Sequence, residues 1–331
     1  MKRGWPGYCG LVAVLSAALW LVPASPTAQA QNQTGAASQS APAHLGWAYP
    51  VTEPGLQRPK DDGSLKHVPG SAKAYTTTQI NDPFGPPDWY PGDHPSIPKV
   101  VGLGRRPDVR ACIQCHLPNG HGHPESASLA GLPAVYVVQQ LNDFKNGVRK
   151  NSATMTMIAK GMADDEIKAA ADYFGGLRMH AWDRVVEAST VSKTFVGPGN
   201  MRFVSKGGGT EPIGARIIVV PEDAERAELR DSHSGFIDYA PAGSIKAGEA
   251  LVTTGGNKTI RCGICHGPDL KGIGPVPGIA GRSPIYIVRQ LKDIHDGSRA
   301  GLWADLMKEV VAKLTLDDMV NIAAYIASRT P

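Results

Sequence analysis

Aromatic residues are scarce in this sequence of 331 residues, at 6%, and neither charge sign is in clear excess, with 34 Lys and Arg against 30 Asp and Glu. With its charges so nearly balanced, the chain lacks the excess of positive charge that binds nucleic acid, and nucleic-acid binding is excluded as its main role. Its 38 glycines and 27 prolines fit neither a coiled coil nor a collagen-like fibre. The length is enough for two modest hydrophobic cores.

Long apolar runs are also lacking, except at the N-terminus. There, residues 11–22 are almost entirely apolar, follow Lys2 and Arg3, and lead to a small-residue site that ends at Ala30. This order is typical of a secretory signal, so we interpret residues 1–30 as a signal peptide cleaved near Ala30 and place the mature chain in the periplasm. An uncleaved membrane anchor is the alternative, but the segment is short for a span and prolines follow it at once.

Cysteine is rare, and its spacing is informative. Without Cys9 in the signal peptide, four cysteines remain, in two Cys-x-x-Cys-His pentads at 112–116 and 262–266. In an exported chain, four cysteines ordinarily predict two disulfides. This spacing instead matches the attachment sequence of c-type haem, in which two thiols bond to the haem edge and the adjacent histidine lies under the iron. The predicted attachment residues are Cys112, Cys115, Cys262 and Cys265, and the predicted iron ligands beside them are His116 and His266.

Two other chemistries use similar pairs. Zinc could take two cysteines and the histidine of each pentad, whereas a thioredoxin-like redox pair requires a βαβ context that is not found. An internal repeat favours haem: a shift of 150 residues superposes the pentads, and it places residues 129–149 on 279–299 with nine identities in 21 positions. A repeat that extends so far beyond the cysteines fits a chain that must surround a haem.

A haem iron held this way takes a second ligand on its far face, and methionines follow both repeated segments. The C-terminal helices align with a shift of 152, which places Met155 on Met307 but Met157 on Glu309. We therefore predict Met155 and Met307 as the distal ligands, with Met157 as the rival in the first repeat. Met162 falls on a leucine and is expected in the core. Methionine opposite histidine fills the sixth position and favours electron transfer.

With these features, each repeat resembles a class I cytochrome c domain, and the tandem resembles the dihaem, exported bacterial cytochromes c of the c-four and c-553 type. The resemblance covers about residues 105–178 and 243–330. It implies two helical domains, two covalently bound c-type haems, His/Met ligation at both irons and an electron-carrier role. The residues that carry it, besides the pentads and methionines, are 129–131 and 279–281, Tyr136 and Tyr286, 140–141 and 290–291, and Gly147-x-Arg149 and Gly297-x-Arg299.

Two departures from the family are visible. A proline commonly lies beside the proximal histidine; Pro277 matches it, but the first repeat has Ala127, whose backbone carbonyl could still hold the imidazole. Residues 246–262 predict an amphipathic entry helix in which Gly248 lets the C-terminal helix approach. Ahead of the first pentad, prolines and glycines break any such helix, so we expect helix only from about Pro107.

The predicted fold is mainly α, with a small β-containing insertion between two cytochrome c domains. Aromatic residues from Trp47 onward suggest an arm laid on the first haem domain, with a loose tether as the alternative. For the insertion, a spacer is favoured over a docking platform. The predicted divisions of the chain are a signal peptide at 1–30, a Pro-rich extended arm at 31–104, the first domain at 105–179, the insertion at 180–242 and the second domain at 243–331. Within the insertion, strands are predicted near 184–187, 192–196, 216–220 and 235–239.

These features predict a periplasmic carrier that passes single electrons from a dehydrogenase donor to an oxidase or reductase acceptor. One alternative is the cytochrome subunit of a dehydrogenase complex, which would allow association with a membrane complex. A dihaem peroxidase is the other, but an iron closed by methionine counts against a catalytic role. His121, His123 and Glu125 are an alternative metal site, whereas the prediction for that glycine-rich segment is a solvated loop.

Overall fold

The computed structural model describes residues 45–52, 54–56 and 60–331; the predicted signal peptide lies outside them. The described part is mainly helical, with short strands between the two repeats. The helices are α1 (Thr77–Ile80), α2 (Lys99–Gly102), α3 (Ile113–His116), α4 (Ala134–Lys145), α5 (Ala153–Gly161), α6 (Asp164–Gly176), α7 (Ala224–Glu228), α8 (Ser244–Thr254), α9 (Gly263–His266), α10 (Pro284–His295), α11 (Leu302–Val311) and α12 (Leu316–Ala327). The strands are β1 (Asp183–Ala188), β2 (Thr190–Ser192), β3 (Thr194–Val196), β4 (Arg202–Val204), β5 (Thr210–Pro212), β6 (Ile218–Pro221) and β7 (Phe236–Pro241).

The two repeats contain the same succession of four helices. The pentad helices α3 and α9 are followed by α4 and α10, then by α5 and α11, and finally by α6 and α12. Side chains set several helix starts: Ser152 accepts from the N–H of Met155 at α5, and Thr315 and Asp318 form a capping box at α12. Capping thus fixes the start of α5, which carries Met155, and of α12, which follows Met307.

The entry to each repeat differs. In the second, α8 packs on α12, and a Cβ atom added at Gly248 would lie 1.9 Å from the carbonyl oxygen of Asn321. This close approach agrees with the role predicted for Gly248. The first repeat has only the four-residue α2, which begins after Pro98. The expectation that helix starts only near Pro107 is therefore wrong, because a proline at a helix start forfeits no intrahelical hydrogen bond.

Between the repeats lies a small β region. Strand β7 pairs in parallel with β1 and antiparallel with β6, and two antiparallel ribbons join β2 to β5 and β3 to β4. Strands β1, β3, β6 and β7 lie close to the four predicted segments. The short elements β2, β4, β5 and α7 are not among the predicted segments, because these parts of the sequence lack a clear strand or helix pattern.

Different parts of the segment before the first repeat pack against different parts of the molecule. Residues 45–52 pack beside the strands and the second repeat, where Leu45 and Trp47 are buried and the hydroxyl of Tyr49 donates to Asp293 at 2.7 Å. The prediction that the arm from Trp47 onward lies on the first repeat is thus wrong for these residues. Farther along, Val100 and Val101 join the core of the first repeat, while the indole of Trp89 donates to the carbonyl of Leu229.

None of the helices in the described ranges is long and apolar enough to cross a membrane.

Candidate functional site

The two pentads have the same local geometry. Each histidine ends a four-residue helix, and its ring Nδ1 lies against a backbone carbonyl: His116 at 2.7 Å from Ala127 O, and His266 at 2.8 Å from Pro277 O. A carbonyl oxygen only accepts, so Nδ1 carries the proton and Nε2 keeps its lone pair, which is the tautomer a metal ligand needs. Burial lowers the pKa of both histidines and keeps them neutral. Ala127 thus replaces proline without loss of this contact.

The pentad cysteines are not joined in disulfides. Burial raises the pKa of Cys112 to about 12 and that of Cys262 to about 11, so both thiols are protonated at neutral pH. Zinc requires thiolates and several convergent ligands. Within the described ranges, no three His, Cys, Asp or Glu side chains are grouped so that they could hold a metal ion. The geometry therefore favours neither the disulfide nor the zinc alternative.

The predicted distal methionines occupy comparable places. Met155 on α5 and Met307 on α11 are half-buried, and each packs against the core of its own repeat. Met157 is 47% exposed. Met162 is buried, as its leucine partner in the alignment indicated. The greater burial of Met155 therefore favours it over Met157 as the distal ligand, as the alignment of the repeats also does.

A cluster of polar side chains joins the two repeats. Arg149 and Arg299 pair through an isolated antiparallel bridge. The side-chain oxygen of Gln140 accepts from Arg149 at 2.7 Å and from Arg299 at 3.1 Å, and that of Gln290 accepts from the same two guanidinium groups at 2.8 and 3.0 Å. Each arginine therefore binds glutamines of both repeats, and the repeats are in direct contact.

The same cluster carries buried positive charge. Arg299 also donates to the hydroxyl of Tyr136 at 2.7 Å, and Arg149 to that of Tyr286 at 3.3 Å. Among the described residues, no carboxylate forms an ion pair with either arginine, and Arg299 Nε is buried without a partner. Burial alone would raise the pKa of Tyr286, but the two arginines outweigh it and lower this pKa. A buried cation is stabilised by a nearby anion, and haem carries two propionate groups that could serve as those anions. The arginines and tyrosines of the cluster therefore fit this cofactor.

The resemblance to class I cytochromes c includes these arginines, tyrosines and glutamines, but the sequence alone assigns them no role. Their identity in both repeats was the available signal. What a single sequence does not reveal is that residues 137 to 163 positions apart hydrogen-bond across the two repeats.

The segment after the first pentad contradicts the predicted solvated loop. His121 is 2% exposed and His123 is 9% exposed. The ring Nδ1 of His121 donates to Asn119 O, and its Nε2 accepts from the N–H of His180. Burial lowers the pKa of His121 and of His123 to about 3. The segment is buried because the β region packs over it.

Comparison with known proteins gives relatives over about two thirds of the chain, although no family model matches. Cytochrome c-552 of Acidithiobacillus ferridurans is 38% identical over 224 residues, which are 66% of this chain and 73% of that protein. The thiosulfate dehydrogenase electron acceptor of Thiomonas intermedia is 29% identical over 226 residues, 67% of this chain and 80% of the relative. A solved structure of reduced cytochrome c4 from Pseudomonas stutzeri covers 66% of this chain and 93% of its own, with 22% identity and a TM-score of 0.45.

The resemblance inferred from the pentads and the repeat is thereby confirmed, as are the two covalently bound haems and the role in electron transfer rather than catalysis. On the sequence match to cytochrome c-552, this chain belongs to the dihaem c-type cytochromes, the group of electron carriers that includes cytochrome c4.

Proposed function

We propose that each pentad holds one haem, within domains that span residues 105–179 and 243–331. In this proposal Cys112 and Cys115 carry the first haem, and its iron is bound by His116 and Met155. Cys262 and Cys265 carry the second, between His266 and Met307. The observation that supports it most is the duplicated histidine geometry: both imidazoles donate Nδ1–H to a carbonyl 11 residues farther along the chain, which leaves Nε2 free to coordinate.

When bound, each haem supplies a one-electron iron couple. Residues of the chain would prevent other molecules from reacting at the iron. Half-buried Met155 and Met307 would close the sixth position, which a peroxidase must keep open or able to open. Arg149 and Arg299 would receive carboxylates that belong to the cofactor. Since both arginines contact both repeats, the same residues would also hold the two redox units together.

We also propose where the chain works and with which partners. An N-terminal segment that carries the pattern of a cleaved signal supports export to the periplasm with loss of residues 1–30. One relative is named as the electron acceptor of thiosulfate dehydrogenase. The donor proposed here is accordingly a periplasmic dehydrogenase that oxidises a reduced sulfur compound, and the final acceptor is an oxidase or reductase.

Mass spectrometry tests the cofactor assignment. The chain made with the cytochrome c maturation machinery should begin near Gln31 and carry the mass of two haems. A chain with one haem, or with zinc in its place, contradicts the proposal. The variant Cys262→Ser/Cys265→Ser should retain a single covalent haem, and peptide mapping should place it on the first pentad.

A redox titration tests the carrier assignment. Because the two repeats share the arginine cluster, reduction of one haem should shift the midpoint of the other. Two independent midpoints would show that the haems act apart. Rapid turnover of peroxide would contradict the carrier role, because it requires an iron position that the methionines are proposed to occupy.

A further inference from the structure

An arginine of the β region lies against the first pentad. Arg230 follows α7, and its guanidinium group donates to the carbonyl oxygens of Ile80, at 3.1 Å, and of Gln114. Gln114 is one of the two residues between Cys112 and Cys115. A cation from outside both repeats is therefore held on the segment to which the first haem is proposed to be attached.

The backbone holds Arg230 in an unusual conformation. Its φ angle is 58°, in the left-handed region that favours glycine, so a residue with a side chain is strained there. Hydrogen bonds on both sides fix the segment: Leu229 O accepts from the indole of Trp89 at 2.8 Å, and Ser232 O accepts from the amide of Asn119 at 2.8 Å. An arginine at a position where glycine would be unstrained indicates that its side chain has a function beyond forming the turn.

The charge of Arg230 is permanent, and it acts on the side chains around the pentad. A guanidinium group stays protonated over the whole pH range in which proteins are folded. Arg230 is half-buried, and there its charge is screened less than in open solvent. Burial lowers the pKa of His123, and the charge of Arg230 adds to this shift. A cation that acts in this way also opposes any further positive charge that develops nearby.

The two pentads differ in this contact. A shift of 150 residues places Gln114 on Ile264, but Arg230 belongs to the unrepeated β region, so the alignment gives it no counterpart at the second pentad. Each repeat also has one exposed arginine shortly before its pentad, Arg110 and Arg261. Because these two charges are similar on the two sides, they do not distinguish the pentads, whereas Arg230 does.

We propose that Arg230 raises the reduction potential of the haem on the first pentad relative to that on the second, so that an electron shared by the two haems favours the first. This inference rests on the proposed attachment of one haem to each pentad, and it adds a direction to electron transfer within the chain. An oxidised haem iron carries one more positive charge than a reduced one, so a nearby cation disfavours the oxidised state. One electron moves from the second iron to the first, and Arg230 neither gains nor loses a proton.

Replacement of Arg230 in the two-haem protein tests the proposal. Arg230→Gln and Arg230→Gly both remove the charge, and the glycine variant also adopts the left-handed φ without strain. A redox titration followed by NMR reports each haem separately through its paramagnetically shifted methyl signals, which are assigned by their contacts with Gln114 or Ile264. Both variants should lower the equilibrium constant for reduction of the first haem about threefold to tenfold, which is about 30–60 mV, and that of the second by less than about twofold.

Two control variants separate charge from structure. Arg230→Lys keeps the charge and should show less than half of the shift in potential. Arg184→Gln removes an exposed charge from the same β region, where Arg184 pairs with Glu222 at 3.5 Å, and it should change neither constant by more than about twofold. The proposal is overturned if the neutral variants change the first haem by less than about twofold, if they shift both haems equally, or if Arg230→Lys shows half of the shift or more.

Failure of the underlying function has a different signature in the same experiment. If the unmodified protein shows the methyl signals of one haem only, or of none, the attachment of one haem to each pentad is wrong. Two haems whose potentials do not respond to the charge of Arg230 would contradict the role of this arginine alone.

Discussion

Met155 and Met157 lie two residues apart on α5, so they point to different sides of the helix. Met155 packs against the core of the first repeat, whereas Met157 is 47% exposed. Met307, the partner of Met155 in the alignment, packs on the core of the second repeat in the same half-buried manner. At the scale of single residues, burial supports the same choice of ligand as the sequence comparison of the repeats.

Replacement of these methionines by alanine tests that choice. Met155→Ala and Met307→Ala should each remove about half of the weak sulfur-to-iron absorption at the red end of the visible spectrum, because each would free one iron of its thioether. Met157→Ala is the matched control and should leave this absorption unchanged. If Met157→Ala removes the band and Met155→Ala does not, the assignment of the first distal ligand is wrong.

At the scale of elements, the crossing of α8 and α12 depends on one glycine. A Cβ atom added at Gly248 would meet the carbonyl of Asn321 at 1.9 Å and the side chain of Tyr325 at 2.8 Å. The backbone of α12 cannot give way locally as a flexible side chain would. Gly176, at the end of α6, has nothing within 4 Å of an added Cβ.

The two glycines should therefore respond oppositely to alanine. Gly248→Ala should lower the free energy of unfolding by about 1–3 kcal/mol, because the two helices must separate. Gly176→Ala should leave it unchanged or raise it by up to about 1 kcal/mol, since alanine favours helix and meets no obstacle. Denaturant unfolding of both variants measures the difference. A Gly248→Ala protein as stable as the unmodified one would show that this crossing is not tight.

How far the sequence predicts these elements depends on whether the causes are local. The entry helix of the second repeat and the need for Gly248 follow from periodicity and from the position of a glycine on the helix. The four-residue α2 and the short α7 have no such pattern, because neighbouring segments hold them in place. In the site, the pentads were readable from spacing alone, but the contacts of Arg149 with Gln290 and Tyr286 depend on how the repeats meet.

At the scale of the whole molecule, Arg289 of α10 ties distant segments together. Its guanidinium group donates to Ala48 O, to Pro124 O and to the carboxylate of Glu125, at 3.1, 2.7 and 2.8 Å. One buried side chain thus joins the N-terminal segment, the loop after the first pentad and the second repeat. Burial nevertheless raises the pKa of Glu125 to about 7, against the attraction of Arg289.

This carboxyl should make stability depend on pH. The pKa of Glu125 is about 7 when folded and 4.5 ordinarily, so the folded state binds more protons between these values and the free energy of unfolding falls as pH rises through them. Relative to Glu125→Gln, the unmodified protein should lose roughly 2–3 kcal/mol from pH 4.5 to 7. Denaturant unfolding of both proteins across this range isolates the contribution of Glu125. Parallel stability curves would mean that folding leaves the pKa of Glu125 unchanged, because the attraction of Arg289 offsets the effect of burial.

The arginine cluster between the repeats has a consequence for how such a chain can arise. Three pairs of residues in it, Tyr136 with Tyr286, Gln140 with Gln290 and Arg149 with Arg299, are the same residue on both sides, and only Asn151, which donates to Gln290, has no counterpart among them. The contact is therefore isologous, the kind that two copies of one polypeptide make about a two-fold axis. A single-haem ancestor with these three residues would already possess a self-complementary surface, and gene duplication with fusion would need to add only the connection.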